Sequence, residues 1–283
     1  MGMITFSQLG NHGRLGNQLF QYAFLKSIEL TNGNKVVLDK NLKERVWHGQ
    51  NCLLENFKLT CEFSDKLEIK SLFVEPKHRS FSPIVYTFPE GTDYFGYYQN
   101  INYFHRFRKE ILKEFELKDE IIDKAKSILS KYRDKKIVSV HFRRGDSITM
   151  NPLSPNYLNS NGEMDDECLL GKYINEATSI FNEDDVYFYV ISGGSREGDN
   201  REDIEWCKKN FKRKNVIYSE GVEDIVEFAI LTLVDYNICS HGSTFGWWGA
   251  YLNKNQCVIA PKDANLDSLV DPASYYPNNW KLI

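Results

Sequence analysis

The sequence has no long apolar run, no excess of positive charge and no secretion signal. No apolar stretch approaches the roughly 20 residues that span a bilayer. The first residues, MGMITFSQLG, lack the basic and apolar regions of a signal peptide. Lys and Arg total 35 against 39 Asp and Glu, whereas a general nucleic-acid binder needs a positive excess to release counterions. We therefore expect a soluble cytoplasmic protein that binds no nucleic acid.

Several motifs of nucleotide and metal chemistry are also missing. The sequence contains neither G-x-x-x-x-G-K-[ST] nor G-x-G-x-x-G, which argues against a P-loop hydrolase and a dinucleotide enzyme. It has no H-x-x-x-H, and its six cysteines form no C-x-x-C, which favours reduced core thiols over disulfides or a zinc site. No D-x-D pair is present to hold a divalent ion against a sugar-nucleotide pyrophosphate. Side chains and backbone amides must then meet any charge on a leaving phosphate, and we expect neither a metal nor another cofactor.

The chain does contain two series of alternating strand and helix patterns. The first begins with a strand in MITFSQ, a glycine-rich turn, a helix in QLFQYAFLKSIELTNG and a buried strand, KVVLD. Residues 41–91 give no clear pattern. Residues 93–104 predict a strand entering a loop, and two amphipathic helices are expected at about 101–115 and 119–132.

The second series starts with a strand at 135–142 and continues with a helix from about 169. The remaining elements alternate between strand and helix as DVYFYVIS, REDIEWCKKNF, NVIYS, VEDIVEFAILTLVDY, NICS, STFGWWGAYLN and a last strand, QCVIAP. This alternation predicts an α/β protein with two parallel-sheet domains, 1–134 and 135–283.

The motif HFRRGD (141–146) lies at the end of the first strand of the second series. Alternation along a strand places His141 and Arg143 on one face, at the sheet edge where ligands of open α/β sheets bind. Arg143 is therefore a candidate for binding a phosphate, with Asp146 orienting one of the guanidinium groups. The alternative is a structural ion pair between Arg144 and Asp146.

Two further segments combine small residues with the start of a helix. In CSHGSTFGWWGAYL (239–252), Gly242, Ser243 and Thr244 open a helix whose N–H groups could bind an anion. The alternative is an ordinary N-cap, with Trp247 and Trp248 packed in the core. In GNHGRLGNQLFQYA (10–23), the glycines allow close backbone approach, although a tight strand-to-helix turn is the simpler interpretation.

Together, GRLGNQLFQYA, HFRRGD and STFGWWGAYL resemble, in this order, the α-1,2-fucosyltransferases of glycosyltransferase family eleven. GYYQNINYF (96–104) and the terminal YYPNNW resemble further elements of that family. The resemblance implies two Rossmann-like domains in a GT-B-like arrangement, with the acceptor side in 1–134 and the donor side in 135–283. It also implies metal-independent, inverting transfer of L-fucose from GDP-β-L-fucose to the 2-hydroxyl of a terminal galactose. An oligosaccharide or a lipid-linked O-antigen repeat would be the acceptor, and a lipid-linked acceptor would allow weak association with the inner membrane.

The same resemblance assigns roles to individual residues. Arg143 would contact the β-phosphate, with His141 and Asp146 near the nucleotide. The implied donor-binding residues are Arg144, Gly16, Asn17, Gln18, Asp224, Gly242, Ser243, Thr244 and Phe245. His12, inserted before Gly13, departs from the family pattern on the acceptor side.

The sequence leaves alternatives open. H-x-R-R-x-D also occurs in fucosyltransferases of α-1,6 or protein O-linkage, although the G-x-x-G-N-Q start argues against these. A non-catalytic nucleotide- or glycan-binding module is a further alternative. The general base, the acceptor and the oligomeric state are not assigned from the sequence.

Overall fold

Two parallel β-sheets organise the chain in the computed structural model, which describes residues 2–47, 49–145, 156–193, 200–263 and 271–283. The N-terminal unit comprises Met1–Lys118 and Val270–Pro277, and the C-terminal unit comprises Asp119–Leu269 and Asn278–Ile283. Both units are mixed α/β structures with parallel sheets. The predicted fold class is confirmed.

Among its described residues, the N-terminal unit contains a five-stranded sheet, a two-stranded antiparallel ribbon and three α-helices. The strands are β1 (Met3–Thr5), β2 (Lys35–Asp39), β3 (Val46–Trp47), β4 (Gln50–Asn51), β5 (Glu62–Ser64), β6 (Ser71–Val74) and β7 (Thr92–Phe95). The helices are α1 (Leu15–Asn32), α2 (Arg108–Glu114) and α8 (Pro272–Tyr275). The sheet order is β5-β2-β1-β7-β6, and β3 pairs with β4. The chain therefore reverses its winding between β1 and β7, which is a topological switch point.

The C-terminal unit contains a six-stranded parallel sheet and five helices among its described residues. The strands are β8 (Lys136–Arg143), β9 (Val186–Gly193), β10 (Val216–Tyr218), β11 (Tyr236–Ile238), β12 (Val258–Ala260) and β13 (Lys281–Leu282). The helices are α3 (Asp119–Leu129), α4 (Leu169–Ser179), α5 (Arg201–Asn210), α6 (Asp224–Leu233) and α7 (Thr244–Leu252). The order β10-β9-β8-β11-β12-β13 is that of a dinucleotide-binding Rossmann sheet, whose switch point lies between its first and fourth strands. Here those strands are β8 and β11.

Helix α1 is the central helix of the N-terminal unit. Apart from Asn17, every residue from Leu15 to Ile28 is buried, so the helix is covered on all sides rather than on the single face that its pattern predicts. It ends at Gly33, which adopts φ +78° and donates its N–H to the carbonyl of Glu29 at 2.8 Å. A left-handed residue after the last turn is the usual glycine C-cap.

The structure corrects two element predictions and shows the elements of one segment that the sequence leaves unassigned. The helix expected at 101–115 begins only at Arg108, because Asn100 caps a 3₁₀ turn and the buried Tyr103 hydroxyl binds the Ser80 carbonyl at 3.0 Å. Residues 41–91 contain four short strands. QCVIAP is not the last strand, since the two-residue β13 follows and pairs with β12.

The division between the units falls between Lys118 and Asp119, ahead of the boundary expected at 134. Helix α3 buries Ile121, Ala125 and Leu129 and packs against α6 of the C-terminal unit. All six cysteines are free thiols, and four of them are buried. Among the helices of the described ranges, none has both the length and the apolar character needed to cross a membrane.

A buried ionic cluster ties α1 to α2. The Glu114 carboxylate accepts hydrogen bonds from the Tyr22 hydroxyl at 2.7 Å and the Thr60 N–H at 2.9 Å. Lys26 pairs with Glu114 at 2.9 Å and with Glu29 at 2.6 Å. Burial raises the pKa of Glu114, but these hydrogen bonds outweigh it and hold the pKa below the ordinary value of 4.5.

We expect Glu114→Gln to lower the free energy of unfolding by about 3 kcal/mol at pH 7, because it removes one carboxylate from a buried ion pair. Since the folded pKa of Glu114 lies below 4.5, this stabilisation is present above that pH and is lost as the pH falls through the folded pKa. Urea unfolding at several pH values measures both effects. Glu110→Gln, an exposed change on the same helix, is the control, and equal stability of the two variants at pH 7 would contradict the prediction.

Candidate functional site

The carboxyl ends of β8 and β11 meet at the switch point of the C-terminal sheet. Arg143 is the last residue of β8, and its backbone N–H donates to the hydroxyl of Ser240 at 2.8 Å. Ser240 lies two residues after the end of β11, in the turn that leads to α7. This hydrogen bond joins HFRRG to SHGSTFG (240–246) at the edge where ligands of such sheets bind.

The turn from β11 to α7 brings Gly242, Ser243, Thr244 and Phe245 to this edge. The Ser243 hydroxyl accepts the N–H of Gly246 at 3.2 Å, so this side chain is an N-cap, as in the simpler interpretation of the motif. The first N–H groups of a helix have no acceptor within the helix and carry its positive dipole end. Since the Ser243 hydroxyl already serves as the cap, the backbone N–H groups at the start of α7 are the remaining candidates for binding an anion, and that role stays a prediction.

His141 is buried beneath this turn. Its ring lies 5.9 Å from that of Phe245 at an interplanar angle of 30°. A Cβ atom on Gly246 would come within 2.9 Å of the imidazole Nδ1, so glycine is needed for this close approach. Burial, together with the nearby Arg143 charge, lowers the pKa of His141 to about 3. The imidazole is therefore neutral at pH 7, and its role next to a nucleotide stays a prediction.

Three side chains that the sequence analysis missed support the turn. The Tyr173 hydroxyl donates to the carbonyl of Cys239 at 2.6 Å. The His241 ring lies edge-on to Tyr157 and Tyr173, with centroids 5.4 and 5.0 Å away. Burial lowers the pKa of His241 to about 4. The sequence signal for His241 is its place in the motif, directly before Gly242. The two tyrosines that contact its ring come from a distant part of the chain.

Arg144 is paired with Asp203 of α5. Its Nε lies 3.2 Å from the carboxylate, and its guanidinium lies 3.9 Å from the centroid of the Trp206 ring. The arginine side chain is only 13% exposed. Asp146, the partner considered from the sequence, lies outside the described residues. Asp203 was missed because it is 59 positions from Arg144.

Asp224 is the first residue of α6 and is half-buried, but the more deeply buried carboxyl is Glu227 in the next turn. Glu227 is 4% exposed, and burial raises its pKa well above the ordinary value. The Asn200 amide donates to the Ser219 carbonyl at 3.2 Å and to Glu227 at 3.4 Å. Glu227 thus lies near the carboxyl end of β10, and the sequence analysis missed it because VEDIVEF offers three acidic residues with nothing to rank them.

Gly16, Asn17 and Gln18 belong to the N-terminal unit, at the start of α1. Gln18 is fully buried; its amide donates to the Gly13 carbonyl at 3.0 Å, and its oxygen accepts the Leu53 N–H at 3.3 Å. The half-buried Asn17 accepts a hydrogen bond from Gln99 at 2.8 Å. Through these contacts Gln18 has a structural role: it holds the start of α1 against the preceding loop and against the backbone of Leu53.

The structure thus brings His141, Arg143 and the 242–245 turn together in the C-terminal unit. Trp247 and Trp248 are core residues; Trp247 stacks on Tyr251 with centroids 4.8 Å apart. In the part of the chain that the structure describes, His, Cys, Asp and Glu form no group of three or more that could hold a metal ion.

Comparisons with known proteins bear on this site. The sequence profile described as "Glycosyl transferase family 11" matches residues 11–283. The chain belongs to glycosyl transferase family 11. It is 27% identical to "Galactoside alpha-(1,2)-fucosyltransferase 2" of Rattus norvegicus, over 89% of this chain and 67% of the relative. It is 29% identical to "Alpha-1,2-colitosyltransferase" of Escherichia coli, over 88% of this chain and 89% of the relative.

A solved structure supports the fold of this family 11 glycosyltransferase. POFUT1 in complex with GDP superposes with a TM-score of 0.56 at 14% identity, covering 92% of this chain and 97% of that one. At that identity the likeness concerns the fold. The family suspected from the three motifs is therefore confirmed, whereas the roles of individual residues stay predictions.

We expect Asp203→Asn to lower the free energy of unfolding by about 2 kcal/mol, because the Arg144 guanidinium then has a neutral amide in place of the Asp203 carboxylate in a largely buried position. Guanidinium-chloride unfolding measures the change. Glu202→Gln, one residue earlier and exposed, is the matched control. A loss no larger than that of the control would mean that the Arg144–Asp203 pair contributes nothing to stability.

Proposed function

We propose that this family 11 glycosyltransferase moves L-fucose from GDP-β-L-fucose to the 2-hydroxyl of a terminal galactose, with inversion and without a metal ion. The observation that carries the proposal is the hydrogen bond of 2.8 Å between Arg143 N–H and Ser240. It holds an arginine and a helix N-terminus at the same switch point of a Rossmann sheet.

These two groups suit a diphosphate leaving group. As the bond from the anomeric carbon to the β-phosphate oxygen stretches, negative charge grows on the phosphate. A guanidinium binds phosphate oxygens with a rigid fork of donors, and the start of a helix adds N–H groups and a positive dipole end. Donors fixed in advance bind the transition state more strongly than the ground state.

The galactose hydroxyl would attack the anomeric carbon from the face opposite the departing GDP. The new bond to the galactose oxygen then forms as the bond to the phosphate breaks, and the hydroxyl proton is lost. Displacement from that face converts a β-linked donor into an α-linked product. The rat relative, named a galactoside α-(1,2)-fucosyltransferase, supports the sugar, the linkage and the galactoside acceptor in this proposal.

A second candidate donor follows from the Escherichia coli relative, which is named an α-1,2-colitosyltransferase and is 29% identical. Colitose is L-fucose without its 3-hydroxyl group, so the two donors share their diphosphate and anomeric chemistry. Competition between GDP-fucose and GDP-colitose in one reaction distinguishes them.

The direct test incubates the chain with GDP-fucose and lactose, with and without EDTA. We expect GDP release and a fucosylated product in both arms, and methylation analysis should place fucose on O2 of galactose. Lipid-linked galactose-terminated repeats form a second arm of the acceptor panel. Product in the α-1,6 linkage, GDP binding without transfer, or activity abolished by EDTA and restored by Mg²⁺ would each overturn the corresponding part of the proposal.

We expect Arg143→Ala to lower kcat on the order of 10²–10³-fold, the usual cost of removing one fixed donor to developing charge. The fold should persist, because the hydrogen bond to Ser240 uses the backbone N–H of residue 143. Steady-state kinetics with GDP-fucose and circular dichroism measure the two effects. Arg133→Ala, an exposed change before β8, is the control, and near-normal turnover of Arg143→Ala would exclude Arg143 from the chemistry.

A further inference from the structure

We infer that four rings of the N-terminal unit, those of His12, Trp47, Phe95 and Tyr97, form a platform that binds a hexose ring of the acceptor oligosaccharide. This aromatic platform lies at the switch point between β1 and β7. The inference rests on the proposed function, since it supplies the acceptor site of that reaction.

The topology of the sheet brings the platform together at one edge. His12 lies in the loop that leaves the carboxyl end of β1, whereas Phe95 ends β7 and Tyr97 follows two residues later. Trp47 comes from the β3–β4 ribbon. Ligands of open α/β sheets bind outside the carboxyl ends of the strands at such a point. In the C-terminal unit, the corresponding point carries Arg143 and the start of α7.

The rings are close enough to form a continuous surface. The His12 centroid lies 4.5 Å from Tyr97 and 4.7 Å from Phe95, at interplanar angles of 31° and 35°. Trp47 lies 6.0 Å from His12 at 63°. All four side chains are half-buried. By contrast the next tyrosine, Tyr98, is fully buried and stacks on Phe24 in the core.

Buried hydrogen bonds hold the loop that carries His12. The Gln21 amide donates to the His12 carbonyl at 2.9 Å and to the Gly96 carbonyl at 3.0 Å, so one side chain joins the two halves of the platform. Arg45, two residues before Trp47, donates to the carbonyls of Ser7 and Leu9 at 2.6 and 2.7 Å. A binding surface fixed in this way loses little entropy when a ligand binds.

The chemistry of the platform favours a sugar over a second anion. Ring faces provide a large, rigid apolar surface at little entropic cost, and tyrosine and histidine add polar edges. A β-galactoside presents an apolar patch of C–H bonds on one face and hydroxyls around its rim, which matches such a surface. Burial lowers the pKa of His12 below its ordinary value of 6.5, which favours the neutral imidazole over a cation that would attract the diphosphate.

The test compares Trp47→Ala, Trp47→Leu and Tyr97→Leu with the wild type. We expect the KM for lactose to rise about tenfold, because each variant removes one ring from the platform, while the calorimetric Kd for GDP stays within about twofold. The leucine variants keep apolar volume without a ring face, and melting curves confirm that each variant folds. Phe63→Ala, a half-exposed aromatic on edge strand β5, is the control and should leave both constants unchanged.

Binding of lactose without donor separates this inference from the proposed function. Saturation-transfer NMR should show lactose signals with the wild type and weaker ones with Trp47→Ala. Unchanged lactose binding and KM in all three variants, or an equal loss of GDP affinity, would overturn the platform while fucosyl transfer stands. Lactose binding that needs Trp47, in a chain that forms no fucosylated product, would instead support the platform and reject the transfer reaction. A wild type that binds no β-galactoside overturns the platform whatever it does with GDP.

Discussion

The structure depends on one constraint of parallel sheets: all strands deliver their carboxyl ends to the same edge. Where the winding reverses, two loops leave that edge in opposite directions and a crevice opens between them. In the C-terminal unit this point lies between β8 and β11, where the backbone N–H of Arg143 donates a hydrogen bond to the Ser240 hydroxyl at 2.8 Å. In the N-terminal unit the switch point lies between β1 and β7, where the ring centroids of His12 and Phe95 are 4.7 Å apart. The two switch points thus carry different chemistry, an arginine in one unit and a cluster of aromatic rings in the other, and the proposed reaction assigns one substrate to each.

The sequence predicts the elements whose apolar pattern is long enough to read. KVVLD forms β2 over the predicted residues, and the strands around 136–143 and 186–193 lie within one residue of expectation. Strands β3 to β6, in the unassigned region 41–91, have two to four residues each. Such short segments show no period of their own, and their conformation depends on pairing: β3 pairs with its neighbour β4, β5 with the distant β2, and β6 with β7. The same holds for β13, which exists because β12 leaves an edge open to it.

For the candidate site, the sequence identifies the motifs but not the side chains that pair with the motif residues. His141 and Arg143 share a face because strands alternate, and the turn before α7 is recognisable from Gly-Ser-Thr. Which carboxylate meets Arg144 depends on packing between β8 and α5, and Asp203 is 59 positions away. Likewise the family resemblance selects Asp224, whereas burial distinguishes Glu227. Long-range pairing and burial are properties of the folded chain, so a single sequence contains no local signal for them.

The two histidines of the C-terminal site show how burial determines its electrostatics. His141 and His241 have pKa values of about 3 and about 4, because burial disfavours their charged forms. Both are neutral across the physiological range, and the Arg144 charge is matched by Asp203 at 3.2 Å. Among the described groups at this edge, Arg143 and the backbone at the start of α7 are the candidates for positive potential that does not depend on either histidine. Because burial disfavours the imidazolium form of both rings, we expect neither His141 nor His241 to make anion binding at this edge depend on pH near neutrality.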